Sequence, residues 1–302
     1  MPLIKWTHWL LAGALISILL LLSGCVQETD ESGKIGVIVT IPPQSEMVEA
    51  IGGDRIEVTV MVPAGKSPHT YVPIPSQMTA VAEAEVYMKV GSGVEFEINY
   101  MDEIIDQNRD MKIVDCSEGV QLIDISDHLH PGDEEGHNNR GKDPHIWLSP
   151  DNVKKMVGNM LQGLIEVDPE GRDTYESNYD KYLERLDELD SYLEDKFEGR
   201  EGDSFLVYHP AWGYFSDEYG LQQLAIEEEG KDPGPAGVAA IVGQAKEYGI
   251  KVIFVSPQFS QESAKTIAEE IGGEVIAVDP MAPDYIDNLR QAADRLSQGL
   301  SD

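Results

Sequence analysis

The sequence predicts an α/β fold of two similar lobes, each a mostly parallel sheet flanked by helices, joined by one long connecting helix. Short β-branched runs alternate with helix-length segments, which implies crossover units and parallel strands. The alternation occurs twice along the 302 residues. Between the two series lies a long amphipathic stretch that begins after Asp168-Pro169-Glu170-Gly171.

In chain order, the first strand is Ile35 to Ile41, a continuous apolar run of the kind buried on both faces. A helix over Pro43 to Ile51 ends at Gly52-Gly53, and a second strand covers Ile56 to Val62. A loop with Pro63, Gly65 and Pro68 leads to a helix near Pro75 to Ala84, then a strand from Glu85 to Val90. A helix over Phe96 to Gln107 precedes a strand-like run from Lys112 to Cys116. Asp127 to Asp143 is polar and reads as a loop, after which Ser149-Pro150 reads as an N-cap with proline at the first helical position. That helix runs to about Glu166.

In the amphipathic stretch, Tyr175, Tyr179, Tyr182, Leu186, Leu189, Leu193 and Phe197 step by three or four, so they share one stripe of a helix. Such a helix would act as a stiff strut between lobes. Beyond it, strands are expected at Phe205 to Tyr208, Leu221 to Ala225, Val252 to Val255 and Val275 to Val278. Helices are expected at Ala236 to Tyr248, Ser263 to Ile271 and Tyr285 to Leu296. The expected organisation is therefore 1–24 as a signal segment, 25–170 as a first lobe with a polar tether, 171–200 as the connecting helix and 201–302 as a second lobe.

The first 24 residues differ from the rest. Lys5 precedes an uncharged apolar run from Trp9 to Leu22, then Ser23, Gly24 and Cys25, which reads as a secretory signal rather than a span. Leu22-Ser23-Gly24-Cys25 resembles a lipobox, so Cys25 is the expected lipid attachment point and the body is expected on the outer face of the membrane. With Cys25 so used, Cys116 is the one thiol left, which excludes an intramolecular disulfide and a cysteine-rich metal site. The net charge is −33, and removing Lys5 with the signal leaves −34. Nucleic acid is thereby excluded as an expected partner.

Any metal site must then use His, Asp and Glu. Three of the seven histidines stand just after strands or in Pro-bounded loops beside aromatic residues: His69, His145 and His209. Asp279 follows the last strand. Open α/β sheets place ligands at the ends of their parallel strands, and three imidazoles with one carboxylate suffice for four-coordinate zinc. His128, His130 and His137 share the acidic loop before His145. They read either as a mobile auxiliary metal collector or as incidental histidines on a solvated loop.

The stretches Ser67 to Tyr71, Gly91-Ser92-Gly93 with Glu95, Asp143 to Pro150, Tyr208 to Phe215, Pro257-Gln258-Phe259 and Asp279-Pro280 together resemble the zinc- and manganese-binding solute receptors of ABC importers, over essentially the whole mature chain. The resemblance implies one metal between two lobes, with His69 and His145 from the first lobe and His209 and Asp279 from the second. It implies an ABC permease as partner and a monomeric, lipid-anchored receptor without enzymatic activity. Manganese receptors of this family often carry glutamate at the position of His209, so Zn2+ is expected ahead of Mn2+. The chain departs from the pattern at Ser256, where a glutamate commonly precedes Pro-Gln-Phe, and in a loop before His145 that is shorter and less His-rich than in many zinc receptors. The competing functions are a zinc-dependent hydrolase, against which stand the missing His-Glu-x-x-His helix and a carboxylate filling the open position, and a metal-scavenging adhesin.

Overall fold

In the computed structural model, residues 33–125, 141–227 and 231–300 are described, and Lys34–Asp302 forms one compact unit. The first lobe contains strands β1 (Ile35–Val39), β2 (Ile56–Val60), β3 (Val86–Lys89) and β4 (Lys112–Asp115). Its helices are α1 (Pro43–Gly52), α2 (Pro75–Glu83), α3 (Glu95–Gln107) and α4 (Pro150–Val167). The connecting helix α5 is Arg172–Phe197. The second lobe follows with β5 (Ser204–Val207), α6 (Gly213–Glu218), β6 (Gln222–Ala225), α7 (Pro235–Glu247), β7 (Val252–Val255), α8 (Glu262–Ile271), β8 (Glu274–Ala277) and α9 (Tyr285–Gly299).

The sheets run β2-β1-β3-β4 and β6-β5-β7-β8, so adding four to each strand number of the first gives the second. Every neighbouring pair is parallel. Each pair therefore needs a crossover, and the crossover helices cover both faces. That burial explains why β5 and β7 are apolar at nearly every position and wholly buried.

The first strand stops short of the expected Ile41 because Gln44 Oε1 takes over the donors there. It accepts from Thr40 N at 3.0 Å and Ile41 N at 3.1 Å, turning the chain into α1. At Ser149 the expected cap is present, its Oγ accepting from Asn152 N at 3.1 Å. Helix α6 was not legible in the sequence, being six residues long with a glycine at its start and no capping side chain. Too few turns exist there for a period to show.

Helix α5 buries Tyr175, Tyr182, Leu186, Leu189, Leu193 and Phe197, while Tyr179 is only half-buried. It packs against α1 and α4 of the first lobe and α9 of the second. Tyr182 donates to Glu46 Oε1 at 3.2 Å, and Glu46 Oε2 in turn accepts from Ile286 N at 3.4 Å. Tyr192 donates to Asp294 at 2.6 Å. One continuous apolar core runs through the first lobe, along α5 and under one face of the second sheet, with a smaller cluster on that sheet's other face. Cys116 lies just past β4, fully buried, where burial pushes its thiol up.

Candidate metal centre

His69 and His209 follow strands at their carboxyl ends, where a chain leaving a parallel sheet must turn, and His145 lies shortly before α4. His69 lies in the loop from β2 to α2. Gln77 fastens that loop: its Nε2 donates to Val60 O and Met61 O at 3.1 and 2.6 Å, and its Oε1 accepts from Ile74 N and Tyr71 Oη at 3.0 and 2.9 Å. His145 precedes a single buried turn, Ile146–Leu148. His209 follows β5, and the β5–β6 ladder continues through Glu227 N to Tyr208 O at 3.0 Å, which sets Glu227 beside it.

These loops bring His69, His145 and His209 together: each offers a ring nitrogen, and the three nitrogens lie within 4.8 Å of one another. The Nε2 atoms of His145 and His209 are 3.3 Å apart. On the far side of each ring stands a carboxylate. His69 Nδ1 is 2.9 Å from Glu95 Oε2, His145 Nδ1 is 2.7 Å from Asp143 Oδ1 and His209 Nδ1 is 2.5 Å from Glu227 Oε1. A carboxylate at Nδ1 fixes the proton there and leaves the Nε2 lone pair facing the centre, the arrangement that outer-shell carboxylates give to metal-binding histidines.

The supports are unequal. Asp143 and Glu227 are buried, with side chains 3% and 4% exposed, whereas Glu95 is 45% exposed and its histidine 26%. Burial lowers the His209 pKa, outweighing the Glu227 hydrogen bond that raises it. For Glu95 burial is the largest influence and raises the pKa, but the hydrogen bond and charge of His69 outweigh it and hold the carboxyl below its ordinary range. Phe259 stacks on the His209 ring at 4.7 Å, and Trp147 meets His145 edge-on at 5.3 Å. Trp147 also donates from Nε1 to Pro280 O at 2.8 Å, tying the His145 turn to the second lobe.

Asp279 does not join the three-histidine group. Its Oδ1 accepts from Gln258 Nε2 at 2.8 Å and Met281 N at 2.9 Å, and its carbonyl accepts from Asn288 at 2.7 Å. Gln258 thus holds Asp279 while its neighbour Phe259 stacks on His209, which gives the Pro257-Gln258-Phe259 stretch its physical meaning. Gly91 has φ +86°, and a Cβ there would fall 1.8 Å from Asp115 Oδ1; the next residue, Ser92, donates to Pro144 O at 2.5 Å and steadies the His145 loop. His128, His130, His137 and Cys25 lie outside the described residues.

Sequence reasoning gave no role to Glu95 or Asp143 and missed Glu227 altogether. Glu227 opens a run of three glutamates, Glu227-Glu228-Glu229, in which nothing marks one as buried. The signal that finds it is register: it lies two residues past β6, where the continued ladder pairs it beside the histidine that leaves β5.

Three imidazoles, each with a carboxylate at Nδ1, set between two like α/β lobes joined by a long helix, make a candidate site for a divalent transition-metal ion. The chain belongs to the family described as "ZnuA: Zinc-uptake complex component A periplasmic", whose profile matches residues 37–299. It is 27% identical over 281 residues to the high-affinity zinc uptake system protein ZnuA of Bacillus subtilis, covering 88% of each chain. It is also 27% identical over 301 residues to the manganese-binding lipoprotein MntA of Halalkalibacterium halodurans, covering 94% of this chain and 96% of that one. A crystal structure of ZnuA superposes with a TM-score of 0.81 at 35% identity, covering 88% of this chain and 99% of the other. The chain is accordingly a metal-binding receptor for ABC import, not an enzyme.

Proposed function

We propose that the chain captures zinc, ahead of manganese, at His69, His145 and His209, with Asp279 as the fourth donor, and delivers it to the membrane permease of an ABC importer. The observation that carries this reading is the 3.3 Å between the Nε2 atoms of His145 and His209. Two nitrogens each about 2.0–2.1 Å from a zinc ion at the tetrahedral angle are about 3.3–3.4 Å apart, whereas right angles at the same bond length bring them to about 2.9 Å. The spacing of these two nitrogens, about one edge of a zinc tetrahedron, supports the zinc reading. Asp279 would complete it by turning its carboxylate toward the rings.

Manganese is the second reading, favoured by the carboxylate of Asp279 and by the likeness to the manganese-binding lipoprotein. Cys25 is proposed to carry the lipid, with the body on the extracytoplasmic face. His128, His130 and His137 are proposed to collect metal for the main site. Residues 25–170, 171–200 and 201–302 are proposed as first lobe, connector and second lobe.

The test is competitive chelator titration of a soluble form beginning at Val26, with zinc and manganese in parallel, on the wild type, His209→Ala and Asp279→Ala. One-to-one zinc binding tighter than manganese binding, abolished by His209→Ala and weakened by Asp279→Ala, is the expected result. Tighter manganese binding would overturn the metal assignment, and indifference to His209→Ala would overturn the ligand set.

A further inference from the structure

Just past the Ser149 cap the fold gathers a second group of donor atoms, all of them oxygen. Asp151 lies in the first turn of α4 in the first lobe, Asp190 on the connecting helix α5, and Glu218 at the end of α6 in the second lobe. Each offers a carboxylate oxygen, and the three oxygens lie within 4.8 Å of one another. Like charges at that spacing repel. Lys154 answers part of the charge: its Nζ is 3.2 Å from Asp151 Oδ1, 3.1 Å from Asp190 Oδ2 and 2.9 Å from Asp187 Oδ1. One ammonium is thus shared among three aspartates, and Glu218 adds a fourth negative charge.

Solvated acidic clusters are common on protein surfaces, but this one reaches into the interior. Glu218 Oε2 is buried and has no hydrogen-bond partner among the described residues, while Oε1 accepts from Asp151 N at a long 3.4 Å. Tyr285, the first residue of α9, is 2% exposed, and its hydroxyl is likewise buried without a partner. Burial raises its pKa well above the ordinary value, and Tyr182, Glu218, Glu46 and Asp190 add to the rise, so the hydroxyl is turned toward the carboxylates. Tyr219 approaches the same cluster and donates to Asp190 Oδ1 at 3.1 Å. A buried polar atom that no protein group satisfies calls for a water or an ion, and here the unmet acceptor is a carboxylate.

We infer that Asp151, Asp190 and Glu218 bind one hard divalent cation of the calcium class, which clamps both lobes to the connecting helix, with Tyr285 holding a water of its shell. An all-oxygen donor set suits calcium or magnesium, whereas the imidazoles of the histidine centre suit zinc, so the two sites do not compete for one ion. Oxygens each about 2.3–2.6 Å from a calcium ion stand at most about 4.6–5.2 Å apart, which the observed spacing satisfies. Carboxylates supplied by three separate elements impose no strict octahedron, and calcium tolerates that where magnesium does not. Lys154 keeps Asp187 as its partner when the ion enters. Because the ligands come from α4, α5 and α6, a cation here fixes the second lobe against the turn that carries His145. The site stands on its own residues and does not depend on which metal the histidines hold.

The test is calorimetric titration of calcium chloride into the protein already loaded with one equivalent of zinc, at constant ionic strength so that screening of the acidic surface does not count as binding. Glu218→Gln and Asp151→Asn are compared with wild type, and Asp180→Asn, an exposed position elsewhere on α5, is the control. Terbium gives a second readout, because its emission is sensitised by tyrosines as close as Tyr219 and Tyr285. The expected result is one calcium per chain with a Kd of about 10⁻⁴–10⁻³ M, weakened about tenfold or more by each of the two cluster substitutions. The Asp180→Asn control should match wild type, calcium should displace the terbium emission, and the zinc should stay bound throughout. No saturable binding overturns the site, as does binding undiminished in either cluster variant. Tighter binding of magnesium than of calcium overturns the ion class, and release of zinc by calcium would place the ion at the histidines instead.

Discussion

At the scale of single residues, the candidate metal centre rests on three histidine–carboxylate contacts that point away from it. Glu227 and Asp143 hold their histidines from buried positions, so replacing either removes both a tautomer lock and a negative charge next to a divalent cation. Glu227→Ala is expected to weaken zinc binding about 10- to 100-fold while leaving all three histidines in place, as outer-shell losses do; calorimetric or chelator titration reads this directly. An affinity equal to wild type would show that His209 is held by its packing on Phe259 alone. Protons compete with metal at the same nitrogens. Because burial lowers the His209 pKa below its ordinary value, that ring resists protonation more than an ordinary histidine, and acid is expected to displace metal from it. Zinc affinity should therefore be flat from pH 8 to 7 and decline with further acidification.

The three histidines that the structure brings together were legible in the sequence as a group because they sit in short Pro-bounded stretches. Their carboxylate supports were not. Asp143 is adjacent to its partner in a visible motif, but Glu95 and Glu227 reach theirs across 26 and 18 residues of chain. Such pairings exist only once the sheets have set which loops are neighbours. Asp279 shows the converse: expected beside the histidines, it stands outside their group and accepts hydrogen bonds from Gln258 and Met281 through packing that no pattern encodes.

At the scale of elements, the two sheets and α5 were legible because each has a strong period or a continuous apolar run. Boundaries moved where a side chain intervened, as Gln44 does at the end of β1, and α6 was too short to leave a pattern. Helix α5 is held along its length by its buried stripe. Leu189, wholly buried in that stripe, should cost about 2–5 kcal/mol when replaced by alanine, measured by denaturant unfolding, with metal affinity in the folded protein nearly unchanged. A smaller element, α6, carries an electrostatic liability. Burial pushes the Glu218 carboxyl up to about 7, and Asp190 and Asp151 add to the shift. An acid with a raised folded pKa binds its proton more tightly folded than unfolded, so its contribution to stability falls as pH rises from about 4.5 to about 7. Glu218→Gln should raise the melting temperature at pH 8 by roughly 2–4 °C and have little effect near pH 4.5; a loss of stability at pH 8 would show that the charge is compensated.

At the scale of the molecule, one core runs from the first lobe along α5 into the second. Glu46 and Trp147 add hydrogen bonds from the first lobe to Ile286 and Pro280 of the second. A wide hinge would have to break these and open apolar surface to water. Metal release is therefore expected through small shifts around the more exposed His69 rather than through lobe separation, and scattering curves of the metal-free and metal-loaded protein should nearly coincide. A large change in radius of gyration on loading would refute that picture.

The most direct test of the account is X-ray absorption at the zinc edge of the one-to-one complex. Three imidazole nitrogens at about 2.0–2.1 Å in a four-coordinate shell are predicted, one of them lost in His209→Ala. A six-coordinate oxygen-rich shell, or fewer than three imidazoles in the wild type, would contradict the three-histidine centre.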